Sequence, residues 1–494
     1  MKEEKDGKLV RLIKWFDSRL GLSYPLLRPA PQYSINPFYW LGALTVVAFV
    51  IQGVTGVLMM LYYVPSPTQA YSSTQYIFQN VYYGRFLETV HLYTAYAMIM
   101  LAFMHMMRGY FVSVYKKPRE LMWVIGMLMG FITLGFGFTG YLLPWTVVSK
   151  SATDVGIGMI SALPHQISPF LDFLIVGAGG DATELLRFYD LHVVVLPAVL
   201  LILLAVKMYM LESHGITEPA TGPELEEKKK KLIPIFPDVT MYLLELAVFF
   251  GIGMLLISAI FPLNLPPEYT PAAAAQFTPQ PDWYFLWIYQ ILKISIFEGG
   301  LGLPIALSVV TLVLGILVIL PFIDRGESRK ISQRPKFVTL GAILVSEVAV
   351  LAYWGLLTPG QIIPVEQALL VLGGTALLVT FVSLALYKIL FAGVKGRLPT
   401  TKTNLKNPEP ALTSTFFVSL VALGTLSIGS AINVGVEIAM KGFSILLGEY
   451  LGLSILGIAS ASLGTMYLLY RLDLGTGSIK RRVRIFEIGF EKDE

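Results

Sequence analysis

The chain has 494 residues, of which 55% are hydrophobic and 14% charged, with a mean hydropathy of +0.66. That balance excludes an ordinary soluble globular domain and implies a membrane protein. There is no cysteine, which excludes disulfides, iron–sulfur clusters ligated by this chain and thioether-attached haem, and a net charge of +4 gives no reason to invoke nucleic acid. Residues 1–36 open the chain as an amphipathic surface segment. Leu9, Leu12, Ile13, Trp15 and Phe16 stand against Lys8, Arg11 and Lys14, the pattern of a helix lying on a membrane, with no signal-peptide core or cleavage site.

Hydropathy then predicts an all-α integral membrane protein of about ten transmembrane helices. They run near 39–63, 88–112, 121–143, 190–211, 240–261, 303–323, 337–356, 366–391, 411–434 and 443–470. Lys and Arg crowd the N-terminus, 113–120, 213–239 (Lys228 to Lys231), 324–336, 392–410 and the tail, while 64–87 has only Arg85, and 262–292 and 357–365 have none. The positive-inside rule therefore places both termini in the cytoplasm, in a plasma-membrane protein surrounded by lipid. Two long outer segments interrupt the alternation. Residues 144–189 carry semi-apolar pieces near 154–163 and 169–176, and 262–302 is rich in proline and then in aromatics; connections this long are usually functional.

On the second span His91 and His105 are 14 residues apart. That is nearly four turns, so both imidazoles share a face about 21 Å apart along the axis. Ionisable groups inside a membrane are costly and mark function. Neutral imidazole is a common iron ligand, so the pair points to two stacked redox centres, against the competing reading of two satisfied histidines inside a bundle. His192, on the fourth span, supplies a partner helix.

The segments TVHLYTAYAMIMLAFMHMMRGYF, KKPRELMWVIG, TGYLLPW, SALP and LRFYDLHVVVLP, then PDWYFLWIYQILK and PFIDRGESRKISQRP, occur in this order along the chain. Together they resemble cytochrome b, the quinol-oxidising membrane subunit of cytochrome bc complexes, with wording closest to the chloroplast-type relatives. The resemblance covers roughly 10–358. It implies a four-helix haem-binding bundle over 37–215, a cytoplasmic linker at 216–239, a three-helix quinol-site domain at 240–358 and a C-terminal extension of about three helices at 359–494.

The glycines agree with it. Gly42 and Gly56 on the first span, and Gly126 and Gly140 on the third, repeat the 14-residue interval of the histidines. Helices lacking side chains at each histidine level would leave room for a flat macrocycle, although glycine is also common at close helix contacts in membranes. Carried over from the family, His91 and His192 hold an outer haem, with Arg187 as a propionate partner. His105 holds an inner haem, with Arg108 as its propionate partner. Both haems are non-covalent, and b-type by resemblance.

The inner haem's other ligand should fall 14 or 15 residues after His192, where the chain has Val206 and Lys207. A neutral amine can coordinate iron, yet a lysine near a span end can also snorkel to the headgroups; both readings stand. His214 lies too far along the axis, about 33 Å from His192, and Met208 and Met210 are alternatives. Glu88 departs from the family's basic residue three before the first histidine, and Arg85, one turn earlier, is expected to take over the propionate contact.

Pro281-Asp282-Trp283-Tyr284 resembles the family's quinol-site motif, with Asp where the family more often has Glu. Quinol oxidation needs a proton acceptor, and a carboxylate in an apolar site can have its pKa raised into the useful range. Tyr141, in TGYLLPW, is expected to line the same pocket. Arg108, Lys207, His214 and Asp238 are candidates for an inner quinone site; Glu245 and Glu347 have no assigned role, and His165, in the outer segment without a spacing partner, reads as a surface or quinone-side residue. The resemblance implies a Q cycle with quinol as substrate, a Rieske iron–sulfur protein as a separate partner, a terminal oxidase or other downstream acceptor, and a homodimer. The alternatives are a non-bifurcating diheme anchor of a dehydrogenase, which would not need the PDWY loop, and a transporter, which would not explain the ladder of histidines and glycines.

Overall fold

The computed structural model describes residues 29–161, 163, 168–177, 179–217, 232–329 and 331–391. The expected N-terminal surface helix, His165, the Lys228 to Lys231 run and spans nine and ten lie outside the described residues.

Seven described helices are long and apolar enough to cross a membrane: α1 Leu41–Met60, α3 Gly84–Phe111, α4 Glu120–Leu142, α7 Asp181–His214, α8 Ile235–Ile260, α11 Pro335–Leu357 and α12, whose apolar stretch is Val365–Ala385. The sixth expected span is a shorter helix, α10 Gly302–Val318, followed after Ile319 by the separate turn Leu320–Ile323 with Pro321 inside it. Proline cannot donate back into the preceding turn, so the helix is broken there. The connections carry α2 Ala70–Asn80, α5 Val147–Ser161, α6 Ser168–Ile175 and α9 Leu286–Leu292. Helices α5 and α6 fall where the 144–189 segment is semi-apolar. Helix α2, AYSSTQYIFQN, is too polar for a hydropathy signal; it forms by burying Ala70, Thr74 and Ile77.

Helix α7 starts well before its apolar stretch and passes through a π turn at Leu191–Val195. Pro197 follows one turn later and has no N–H to return to Val193, which favours the widened turn. His192 sits inside it.

Helices α1, α3, α4 and α7 pack as one group, and α9 lies against α11. The two groups are joined by a buried ionic cluster. Tyr115 donates to Asp324 at 2.7 Å, Lys116 pairs with the same carboxylate at 3.0 Å, and Arg334 Nε reaches it at 3.1 Å. Burial would raise the Asp324 carboxyl, but Tyr115, Lys116 and Arg334 hold it below its usual range. A two-stranded antiparallel ladder, β1 Pro29–Pro31 with β2 Leu232–Pro234, ties the segment before α1 to the start of α8. It is a small departure from the all-α expectation.

Candidate functional site: two levels in one bundle and an adjoining carboxylate pocket

At the first level His91 on α3 faces His192 on α7, with ring centroids 6.4 Å apart and planes at 62°. Each Nδ1 contacts a threonine hydroxyl: Thr55 at 2.8 Å for His91 and Thr139 at 3.1 Å for His192. Both hydroxyls donate to their own helices, Thr55 to Ile51 O at 2.7 Å and Thr139 to Gly135 O at 2.8 Å. Their oxygens are therefore left to accept, which puts the proton on each Nδ1 and the lone pair on each Nε2. That is the tautomer a metal needs, held by an outer hydrogen bond. Two nitrogen–metal bonds of ~2.0–2.1 Å, with about 1 Å from each nitrogen to its ring centre, would separate the centroids by about 6 Å. The observed spacing fits.

The glycines complete this level. A Cβ on Gly140 would lie 2.5 Å from His192 Cε1, and one on Gly56 would lie 3.5 Å from His91 Cε1. Gln52 donates to His91 O at 2.6 Å, and the Phe136 ring stands edge-on to His192 at 5.5 Å. The result is a cavity of about 620 Å³ lined by both histidines and both glycines.

The second level has the same plan with different ends. A Cβ on Gly42 would lie 3.1 Å from His105 Cε1, and one on Gly126 would lie 2.9 Å from Lys207 Nζ. The Lys207 amine thus turns toward Gly126 on α4, across the bundle, and is not drawn out to the helix end. His105 Nδ1 is buried and has no hydrogen-bond partner among the described residues. Arg108 is buried, its guanidinium 4.2 Å from the centre of the Tyr39 ring. Met208 is more than half exposed and points away from the bundle. His214 Nδ1 donates to Met210 O at 2.9 Å, Arg119 donates to His214 O at 2.9 Å, and Asp238 is exposed at the start of α8. Neither comes to Lys207.

The third part adjoins the first. Asp282 is 3% exposed, and Tyr96 on α3 donates to both its oxygens, at 2.9 and 3.1 Å. Burial lifts this carboxyl to about 7, against the hydrogen bonds from Tyr96, Tyr284 and the Trp283 backbone. Tyr284 packs against Gly137, where a Cβ would lie 2.7 Å from its hydroxyl. Trp283 stands edge-on to Tyr96 at 6.3 Å, and Pro281 is half-buried beside them. Asp282, Tyr284, Tyr141 and Tyr96 line the same cavity as His91 and His192, and so does Glu88.

Two arginines are placed elsewhere than expected. Arg85 donates to Leu263 O at 2.6 Å and to Asn264 Oδ1 at 2.7 Å, so its guanidinium fastens the loop after α8. Arg187 is half-buried, donates to Leu174 O at 3.3 Å and lies over the Phe173 ring, which anchors α6. Backbone carbonyls, one in the loop after α8 and one in the last turn of α6, bind them.

Comparison with known proteins bears on these features. Residues 96–271 match the family model described as cytochrome b (N-terminal)/b6/petB, and residues 273–381 match cytochrome b (C-terminal)/b6/petD. A cytochrome bc complex cytochrome b subunit from Chlorobaculum thiosulfatiphilum is 33% identical over 361 residues, covering 71% of this chain and 82% of the relative. The chain belongs to the cytochrome b family. A cytochrome b from Sulfolobus acidocaldarius is 30% identical over 76% of this chain and 70% of its own length. Cytochrome b6 of Heliobacterium modesticaldum is 40% identical over 39% of this chain and 90% of its own length. A solved chain of a hyperthermophilic respiratory complex III shares the fold, with a TM-score of 0.60, 23% identity and coverage of 76% and 96%. This cytochrome b is therefore a multi-span subunit of the bc type and a component of electron-transfer oxidoreductases.

Three further residues at these positions, Thr55, Thr139 and Tyr96, are not singled out by the spacing of the histidines and glycines. Thr55 and Thr139 each stand one residue before a cradle glycine, and the repeated Thr-Gly doublet was a signal available there. Tyr96 lies inside the TVHLYTAYAMIM motif but had no visible partner, because Asp282 is 186 residues away.

Proposed function

We propose that this chain is the diheme cytochrome b of a respiratory bc-type complex, oxidising quinol at the outer face and reducing quinone toward the cytoplasmic side in a Q cycle. A Rieske protein would be the other acceptor. The observation that carries the reading is the shared cavity: a buried carboxylate and a pair of tautomer-fixed imidazoles line one space. His91 and His192 would hold one haem, and His105 and Lys207 the other. When bound, the two haems supply one-electron transfer across the membrane.

The protein's own part is docking and proton handling. Tyr141 and Tyr284 line the cavity and form an aromatic wall for a quinol ring, whereas Trp283 and Pro281, expected beside them, are not among the residues that line it. Asp282 accepts the hydroxyl proton as charge leaves the quinol, a task suited to a carboxyl whose proton affinity sits near 7. At the second level, with Lys207 assigned to iron, buried Arg108 is the remaining polar candidate for a quinone. His214 and Asp238 have the weaker geometric case, one being bonded to Met210 O and the other exposed.

A reduced-minus-oxidised spectrum with haem stoichiometry tests the cofactor content: two b-type haems per chain are expected, and one or none overturns it. Co-purification with an iron–sulfur protein and quinol-driven bifurcation would separate this reading from a diheme dehydrogenase anchor, in which all electrons run through the chain.

A further inference from the structure

We propose that Tyr96 is the positioning residue of quinol oxidation, its hydroxyl delivered from the helix that carries His91 to hold the Asp282 carboxylate in place. The inference rests on the reading of Asp282 as the proton acceptor. Asp282 is short, and the resemblance leads one to expect Glu at this position. A carboxylate one methylene shorter stays closer to its own backbone; Tyr284 and the Trp283 N–H reach it from its own segment, and one further donor comes from another element. Tyr96 does so from α3, placing one hydroxyl within 2.9 and 3.1 Å of the two carboxylate oxygens.

The surroundings make that one donor important. Among the described residues lining the cavity there is no lysine and no arginine. The titratable groups beside Asp282 are Tyr96 from α3, Tyr284 from its own segment and Tyr141 from α4 beside Tyr284; Glu88, His91 and Tyr93 from α3, Tyr189 and His192 from α7 and Tyr63 line the same cavity. A buried carboxylate without a cation depends on its hydrogen-bond donors to remain ionised, and donors to charged groups are the strong ones. Tyr96 is itself 6% exposed, with its ring against Trp283 and Tyr284, so water would not readily replace its hydroxyl.

The sign of the effect follows. A base acts only when unprotonated, so turnover rises with pH through the proton affinity of Asp282. Removing a donor that favours the carboxylate raises that affinity and moves the rising limb to higher pH, by about one to two units for a bond to a charged group. The ring of Tyr96→Phe keeps its packing, so KM for quinol should stay unchanged while the pH profile moves. A purely structural role would lower haem content or raise KM and leave the limb where it is.

The test uses the whole complex in membranes. Quinol-driven haem reduction with a short-chain quinol is followed between about pH 5 and pH 9, alongside the infrared C=O band of the protonated carboxyl. Tyr96→Phe should shift both upward together; superimposable curves in both would overturn the proposal. Should Tyr96→Phe fail to assemble, replacing Tyr96 by 3,5-difluorotyrosine keeps the ring and makes the hydroxyl a stronger donor. The limb should then move to lower pH, and an unmoved limb overturns the proposal. Normal turnover in Asp282→Asn would instead overturn the reading of Asp282 as the base, a failure distinct from that of Tyr96.

Discussion

The two levels of the bundle share a plan and differ in how their polar groups are secured. At the His91–His192 level each ring has its outer nitrogen tied to a threonine, its partner 6.4 Å away and a glycine over its edge. At the His105–Lys207 level the glycines remain, but no threonine stands before Gly42 or Gly126, and His105 Nδ1 has no partner among the described residues. The first level is fixed by hydrogen bonds before anything binds. The second leaves one imidazole free to choose its tautomer and sets a flexible amine opposite it.

The largest break in that comparison comes from removing a ring at the secured level. His192→Ala or His91→Ala should abolish one of two haem signals and all quinol-driven turnover, since no other described side chain on either helix offers a ligand there; two intact haems in either variant would refute the pairing. Asp282→Asn should keep both haems reducible by dithionite while slowing quinol oxidation on the order of a hundredfold or more, because Asn retains the shape but cannot accept the proton. Turnover at the parent rate would move the base elsewhere.

Lys207→Ala probes the weaker level and should alter or remove the second haem spectrum alone, whereas Lys207→His should retain it with imidazole at both ends. An unchanged spectrum in Lys207→Ala would mean that the amine is no ligand. The glycines sharpen the contrast further. Gly140→Ala places a methyl 2.5 Å from a hydrogen-bonded ring that cannot retreat, while Gly126→Ala meets only the end of a flexible lysine at 2.9 Å. Haem content should therefore fall in the first and survive in the second; equal losses would show the two cradles to be equally rigid. The smallest effect belongs to Thr139→Val. Losing the Nδ1 acceptor, about 1 kcal/mol, should shift the first haem's midpoint by up to about 40 mV and leave the second unmoved.

The eight expected spans that fall in the described region all correspond to helices, because a run of apolar residues in lipid has few other ways to satisfy its backbone. The histidine and glycine spacings were equally readable, since both follow from the pitch of a single helix. The polar helix α2, the early start of α7 and its π turn carried no such signal; burial against neighbours and Pro197 made them. The carbonyl contacts of Arg85 and Arg187 are illegible in the sequence for a related reason. A long guanidinium side chain goes to the nearest unpaired carbonyl, and which carbonyl is nearest depends on where a loop folds.

By itself, then, the sequence determined what depends on local repetition: the membrane class, the spans, the 14-residue ladder and the ordered motifs that marked the family. Only the tertiary structure decided what depends on approach between distant segments. It brought Tyr96 to Asp282, turned Lys207 toward Gly126 and used two threonine hydroxyls to set the imidazole tautomers. Helical periodicity is a property of neighbouring residues and survives in a string of letters. Hydrogen-bond geometry of 2.8 to 3.1 Å between groups up to 186 residues apart is a property of packing, and appears only once the helices are side by side.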